Sequence, residues 1–352
     1  MKKITNLPDP SITTYVPHPS VQEFFNLLEP TPPTWLYDYI NTKEMLHQQH
    51  ISTTCGTIYS NLFESDFFYS NLDHSIGVAL IIWHFTHDKK QTLAGLFHDI
   101  ATPAFKHCVD FMNGDYMTQE STEELTTQII ENSSEITALL VRDKIKVSEI
   151  DDYHIYPIAD NDTPQLSADR LEYFLAHGIF TYRIIDFSQA KTFYQNLEVQ
   201  HNENGILELG FKNKKIARDF VCTVCKLSTI FHENRTRYSL QFLADILKKL
   251  NLAGDIEKAD LYILKESEIA SIIKQSKYAD VFDKWRDAKT IKISDTKPED
   301  VYYIHHPAKI RYIDPLCQGT RMSEQCKLAK QMIDKNLSYD MNSYVYLEDV
   351  II

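Results

Sequence analysis

The sequence has few cysteines and no long apolar run. Six cysteines in 352 residues are sparse, which is typical of a protein that folds in a reducing compartment. No stretch of 18 apolar residues occurs, so we expect no membrane-spanning segment. Residues 1–19 contain two lysines but no apolar core, so we expect no signal peptide. Together these absences predict a cytoplasmic protein without a membrane partner.

Basic residues are also in short supply. The chain has 36 Lys and Arg against 49 Asp and Glu, which gives a formal net charge of −13. A general nucleic-acid binder usually carries clustered positive charge, so we expect no general binding of nucleic acid. A local basic pocket for a small phosphate is compatible with the composition. With 43% hydrophobic residues the chain is long enough for a sizeable core. No internal repeat is evident.

The pair His98 and Asp99 ends an apolar helical segment, residues 91–100. An imidazole and a carboxylate are costly to bury unless something binds them. A divalent metal commonly does so, because neutral imidazole nitrogen and carboxylate oxygen are its usual ligands. The plain alternative is that both side chains only cap backbone groups at the helix end.

Two other stretches favour the metal. At helical spacing His74 lies on the apolar face of segment 69–85, and Asp169 lies on the apolar face of segment 166–180. A carboxylate on such a face is rarely left unpaired. Mn, Fe, Mg, Co, Ni and Zn all suit two imidazoles with two carboxylates. The predicted metal ligands are therefore His74, His98, Asp99 and Asp169.

A His, then His-Asp, then a distant Asp on a bundle of helices resembles the HD-domain phosphohydrolase superfamily. Here the intervals are 98 − 74 = 24 and 169 − 99 = 70 residues. Residues 73–79 look like the first helix of the deoxynucleoside triphosphate triphosphohydrolase branch. Residues 98–107 resemble its His-Asp segment, which ends in Phe, a small residue and His, and residues 168–173 resemble its Asp-Arg-Leu-Asp-Tyr word. The resemblance covers roughly residues 55–250.

The resemblance implies a mainly α fold, an HD-domain helical bundle. We expect an N-terminal arm over residues 1–54, extended to residue 35 and then in short helices, and the HD domain over 55–250. Alternation on both sides of Asn204-Gly205 predicts a β-hairpin insertion with a primed turn. Residues 251–352 mix charged helices with short strand patterns, so a small α+β appendage is predicted, with 345–352 as an edge strand.

The chain also departs from the branch. Asn71 stands where the branch usually has Arg, and Thr102 where it has a further His. Gln119 stands at the His of a His-Glu pair, and Gln cannot exchange a proton near neutral pH. His107 and Asp110 match positions near the substrate phosphates and could take over that acid-base work. The predicted catalytic residues are Asp99, His107, Asp110 and Glu120.

The predicted function is metal-dependent phosphoester hydrolysis by a metal-activated water. The substrate is expected to be small and phosphorylated, a nucleotide or a related phosphoester, and the resemblance implies a homo-oligomer. Loop 151–162 is expected at the mouth of the site. Two alternatives stay open: a catalytically weak, metal-binding HD regulator, favoured by Gln119, and an HD-type di-iron oxygenase, which needs additional His ligands.

Overall fold

The computed structural model describes residues 3–9, 13–119 and 125–352, and this part of the chain is mainly helical, as predicted. The helices before the hairpin are α1 (Pro19–Leu28), α2 (Leu36–Ile40), α3 (Lys43–His47), α4 (Asn71–Thr86), α5 (Lys89–Phe97), α6 (His107–Asn113), α7 (Thr126–Asn132), α8 (Ser134–Asp143), α9 (Ala168–Ala176) and α10 (Phe187–Gln195). Those after it are α11 (Lys214–His232), α12 (Asn234–Ala253), α13 (Asp260–Ile263), α14 (Glu266–Gln275), α15 (Ala279–Asp287), α16 (Met322–Gln325) and α17 (Lys327–Leu337).

The strands form two small sheets. They are β1 (Leu197–His201), β2 (Leu207–Phe211), β3 (Lys292–Ser294), β4 (Tyr303–Ile304), β5 (Leu316–Cys317), β6 (Thr320–Arg321) and β7 (Tyr344–Tyr346). One sheet has the order β1-β2-β5-β6, and the other has the order β3-β7-β4. None of the described helices is both long and apolar enough to cross a bilayer.

The N-terminal arm contains a helix where an extended segment was predicted. Pro19 opens α1 at a position where its missing N–H costs nothing, and the His18 ring accepts a hydrogen bond from the Ser20 amide at 3.2 Å. The prediction was wrong because burial of one apolar stripe with helical spacing outweighs the effect of the flanking prolines. That stripe is buried against the bundle and consists of Val21, Phe24, Phe25 and Leu28.

Helix α4 lies at the centre of the bundle, packed against α1, α5 and α9. Its start is fixed by a capping box, because the Ser70 hydroxyl accepts from the Asp73 amide at 3.0 Å and the Asp73 carboxylate accepts from the Ser70 amide at 2.9 Å. Nearly every residue from Asn71 to Ile82 is buried, so the helix is covered on all sides. His74 therefore lies in the second turn of a buried helix.

The predicted hairpin is present, with β1 antiparallel to β2. Its turn is not of a primed type, because both primed types need positive φ at the first central residue, which would be Asn204. Gly205 has φ 75°, whereas Asn204 has no positive φ. The Asn202 side chain accepts from the amides of Asn204 and Ile206 at 2.9 and 3.0 Å, and this local pairing replaces the tighter turn.

The C-terminal third adds strands to both sheets. Val345 of β7 pairs with Ile293 on one side and with Ile304 on the other, so β7 is the central strand and not the predicted edge strand. Strand β5 continues the hairpin sheet beside β2. A second apolar core joins this third to residues 51–63 and 104–111, which border the candidate site. The predicted domain boundaries stay predictions.

Candidate metal centre

The predicted ligands come from the ends of three helices. His74 lies near the start of α4, His98 and Asp99 follow directly after α5, and Asp169 lies in the first turn of α9. The start of α9 is fixed because the Ser167 hydroxyl accepts from the Arg170 amide at 3.2 Å. These three ends meet inside the bundle, so the structure brings all four predicted side chains together.

Their donor atoms converge on one point. The Nε2 atoms of His74 and His98 lie 3.2 Å apart, and His74 Nε2 lies 3.1 Å from Asp169 Oδ1. Asp99 Oδ2 lies 3.7 Å from His98 Nε2 and 3.9 Å from His74 Nε2. An ion about 2.0–2.2 Å from each ligand separates them by similar distances, so this donor set fits a divalent cation. Ligand atoms of His74, His98 and Asp99 all lie within 4.8 Å of one another.

The other ring nitrogen of each histidine is already bound. His98 Nδ1–H donates to the Gly95 carbonyl at 2.7 Å, and His74 Nδ1 is bound by a carboxylate oxygen of Glu172. The second oxygen of Glu172 accepts from the Tyr69 hydroxyl at 2.5 Å. These contacts orient both rings with Nε2 toward the cluster, as they do around bound metals.

The charges of the cluster reinforce one another. Burial alone would lower the pKa of His74, but the carboxylates of Glu172 and Asp169 raise it to about 10. Burial alone would raise the pKa of Asp99, but Lys106, His98 and His74 hold it well below its usual range. Asp99 is therefore ionised near neutral pH, and a proton on His74 Nε2 occupies the lone pair that a cation needs.

A cavity of about 240 Å³ opens above the cluster. Four cationic side chains line it, from three distant parts of the chain: Lys106, Arg170, Lys309 and Arg311. Aromatic side chains line it as well: Tyr69, Tyr153, Tyr173, Tyr182, Phe231 and Tyr312. Such a lining suits a small anion that also carries a flat or apolar group. Loop 151–162 contributes Tyr153, His154 and Asp160 to it, where the sequence placed the mouth of the site.

His107 of the predicted catalytic pair also borders the cavity, and Asp110 lies buried behind it. His107 Nδ1 lies 2.9 Å from the fully buried Asp110 carboxylate, at the start of α6. Burial lowers the pKa of His107, and Arg311 adds to this while Asp110 opposes it. A neutral ring that donates through Nδ1 keeps the lone pair on Nε2. Glu120, the remaining predicted catalytic residue, lies outside the described residues.

Residues 308–315, here called the strap, bring C-terminal cations to this pair. Arg311 donates from Nη2 to Gln119 Oε1 at 2.8 Å and faces His107 Nε2 at 3.2 Å. Lys309 donates to the Thr118 carbonyl at 2.7 Å. Gln119 thus binds a cation of the strap at the position where the resembling branch has a catalytic His.

Three residues of the site received no role from the sequence: Glu172, Lys106 and Arg311. Glu172 stands one turn after Asp169 on α9, and that spacing is a signal that could have placed it on the same face. Arg311 lies 204 residues from His107. Its only local signal is a pair of cations within an aromatic stretch.

The fold and the site thus define a mainly helical protein with a buried His-Asp cluster in its cavity. Solved structures with a similar fold include a hypothetical protein of Aquifex aeolicus, at a TM-score of 0.58 and 15% identity over 90% of this chain and 93% of that one. They also include a phosphohydrolase of Bacteroides thetaiotaomicron, at a TM-score of 0.59 and 14% identity over 89% and 95%. At these identities the likeness shows the fold alone.

In sequence the chain is similar to the uncharacterized protein YdhJ of Bacillus subtilis strain 168. The two are 29% identical over 248 residues, which cover 69% of this chain and 72% of YdhJ. No protein-family model matches the chain.

Proposed function

We propose that this protein is a metal-dependent phosphohydrolase of the HD type that acts on a nucleotide or a related small phosphoester. The observation that carries the proposal is the convergence of two imidazole Nε2 atoms and two carboxylates at the base of a cation-lined cavity. The fold shared with a phosphohydrolase supports it. The ligands are His74, His98, Asp99 and Asp169.

A divalent ion held by His74, His98, Asp99 and Asp169 would supply Lewis-acid polarisation of a phosphoryl oxygen and would lower the pKa of a bound water. The protein's own residues do the rest. Asp99 stays ionised beside Lys106 and accepts the proton of the attacking water. Asp110 holds His107 Nδ1 at 2.9 Å and so orients the ring beside the cavity, where Nε2, once protonated from solvent, would give that proton to the leaving oxygen.

The lining of the cavity suits a substrate with an anionic end and a flat aromatic end. Arg311 and Lys106 offer positive charge to phosphate oxygens, as cationic donors commonly do. Tyr173, Tyr182 and Phe231 offer aromatic faces to a base or another flat group. A nucleoside mono-, di- or triphosphate meets both requirements.

The test is product analysis on protein reloaded with manganese, against a panel of nucleoside mono-, di- and triphosphates. Wild type is expected to release inorganic phosphate, pyrophosphate or tripolyphosphate, and the product identifies the bond that breaks. Asp99→Ala is expected to release nothing. The exposed Asp255→Ala is the matched control and should behave as wild type.

A catalytically weak regulator is the second candidate, because Gln119 binds Arg311 instead of offering a titratable ring. Silence across the panel with manganese still bound stoichiometrically would favour that candidate. Binding of two irons per chain with oxygen consumption would favour an oxygenase. Turnover that Asp99→Ala abolishes contradicts both.

A further inference from the structure

Asn71, one of the departures from the branch, faces a residue at which the chain departs again. Asn71 stands where the resembling branch has Arg, and Lys106 stands where that branch has a small residue between Phe and His. Lys106 Nζ donates to Asn71 Oδ1 at 2.6 Å. The chain has therefore lost a cation from α4 and gained one in the loop opposite it.

Lys106 is held in an unusual backbone conformation. Its φ is 43° with ψ −117°, and the preceding Phe105 has φ 65°. Such conformations cost free energy for any residue but glycine, and they persist where the side chain is needed. The small residue of the branch suits this backbone better, so the presence of Lys106 here calls for a role for its ammonium group.

The amide of Asn71 is oriented to receive that ammonium group. Asn71 Nδ2 donates to Gln48 Oε1 at 2.9 Å and to the Asp99 carbonyl at 3.1 Å. With both amide protons used, Oδ1 is the atom that faces Lys106. The contact is thus part of a connected network around Asp99 and does not depend on an arbitrary choice of amide orientation.

The ammonium group has one donor left. Lys106 Nζ donates to Asp99 Oδ2 at 2.8 Å and to Asn71 Oδ1 at 2.6 Å. An ammonium group carries three protons, and within the described ranges no other acceptor binds this one. Its side chain is only 10% exposed and lines the cavity next to the ligand cluster. A buried cationic N–H that faces a cavity is a binding group for an anion.

We propose that Lys106 binds a phosphoryl oxygen of the substrate next to the metal ligands and so replaces, from the loop, the cation that the branch carries at position 71. The proposal rests on the proposed function, because the anion is the phosphoryl group under attack. Asn71 and Asp99 aim the ammonium group, and its third proton contacts the substrate.

The test uses inorganic phosphate as the probe and the manganese-loaded full chain, studied by titration calorimetry. Lys106→Met is expected to weaken phosphate binding about 10-fold or more, the value of one charge-assisted hydrogen bond. It should keep manganese at the wild-type stoichiometry. On any phosphoester that wild type hydrolyses, kcat/KM is expected to fall about 10²- to 10³-fold.

Two further variants separate this role from a structural one. Lys144→Met is the matched control, since Lys144 is also a lysine with positive φ, 57°, at the end of α8. It should bind phosphate as wild type does. In the double variant Asn71→Arg/Lys106→Gly, the new arginine can extend into the space vacated by the lysine. It should recover phosphate binding relative to Lys106→Gly alone.

The outcomes are distinguishable from those of the proposed function. Unchanged phosphate binding in Lys106→Met would overturn the inference while leaving hydrolysis intact. If Lys106→Met loses manganese in proportion to its loss of phosphate binding, Lys106 acts only by holding Asp99 in place. That outcome would also overturn the inference. Lys106-dependent phosphate binding in a protein that hydrolyses no phosphoester would support the inference and refute the hydrolase.

Discussion

Two fully buried glutamates lie close to the candidate centre, and they differ in their partners. Glu172 of α9 uses both oxygens, one for Tyr69 and one for His74. Glu266 of α14 uses Oε2 for the amides of Ser52 and Phe105 at 3.1 and 3.4 Å. Its Oε1 has no hydrogen-bond partner within the described ranges, although Tyr59 faces the same carboxyl.

The difference shows how partners decide the state of a buried carboxyl. Burial raises the pKa of Glu172 as well, but the imidazole of His74 and the Tyr69 hydroxyl oppose that rise, so Glu172 can share a proton with His74 inside the bundle. Glu266 has only neutral donors close by and Lys106 further off, so burial raises its pKa to about 8. One glutamate orients a predicted metal ligand, and the other supports, as a largely protonated acid, the loop that carries Lys106.

The largest effect is expected from removing Glu172. Glu172→Ala leaves His74 Nδ1 and the Tyr69 hydroxyl without partners in the core, and breaking a buried pair costs about 3–5 kcal/mol. Manganese affinity should also fall about 10- to 100-fold, because His74 loses the contact that orients it. Urea unfolding of the metal-free protein and manganese titration measure the two effects.

Glu172→Gln is the control for that change, since it keeps the volume and one acceptor. Its loss of stability should be clearly smaller than that of Glu172→Ala. If both variants unfold at the wild-type urea concentration, the contrast between the two glutamates is wrong.

At Glu266 the expected change in stability has the opposite sign, because removing its charge should stabilise the protein. Its folded pKa of about 8 lies above the ordinary value of 4.5. Its contribution to stability is therefore complete below about pH 4.5 and is lost as pH rises through about 8. Glu266→Gln keeps the acceptor for Ser52 and Phe105 without the charge, so at pH 8 it should stabilise the protein by an amount on the order of 1–4 kcal/mol.

Urea unfolding between pH 5 and pH 8.5 measures this difference. Glu268→Gln, an exposed change in the same first turn of α14, is the matched control and should run parallel to wild type. Parallel profiles for wild type and Glu266→Gln would show that burial does not set the charge of Glu266.

The sequence predicted those residues of this site that lie on an apolar helix face or next to each other in the chain. His74 and Asp169 stand on apolar helix faces, and a period of 3.6 predicts which way they point. His98 and Asp99 are adjacent in the chain. The four side chains could therefore be grouped without knowing how the helices pack, and in the structure their helices do converge.

The residues that surround the cluster could not be found this way. Lys106 reaches Asp99 only because two successive residues adopt positive φ, which no local pattern predicted. Arg311 approaches His107 from a strap at a sequence separation of 204 residues, and nothing in either stretch specifies that packing. Glu266 is part of a charged helix, and it is buried on the side of that helix where Ile269 and Ile273 join the second core.

The smallest effect is expected from a substitution that crowds Glu172 without removing it. Gly77 lies one turn after His74, and a Cβ there would lie 2.6 Å from Glu172 Oε1 and 2.7 Å from its Cγ. Gly77→Ala gains about 1 kcal/mol of helix propensity, whereas overpacking costs about 1–3 kcal/mol. The net loss of stability should be about 0–2 kcal/mol.

Metal binding separates this crowding from ordinary overpacking. Glu172 cannot move away from Gly77→Ala without loosening its contact with His74, so manganese affinity should fall even where stability barely changes. Gly178→Ala is the matched control, because a Cβ there meets the apolar Ile185 at 2.9 Å. It should lower the melting temperature while leaving manganese affinity at the wild-type value. If Gly77→Ala also keeps that affinity, Glu172 does not orient His74, and the contrast with Glu266 is one of packing alone.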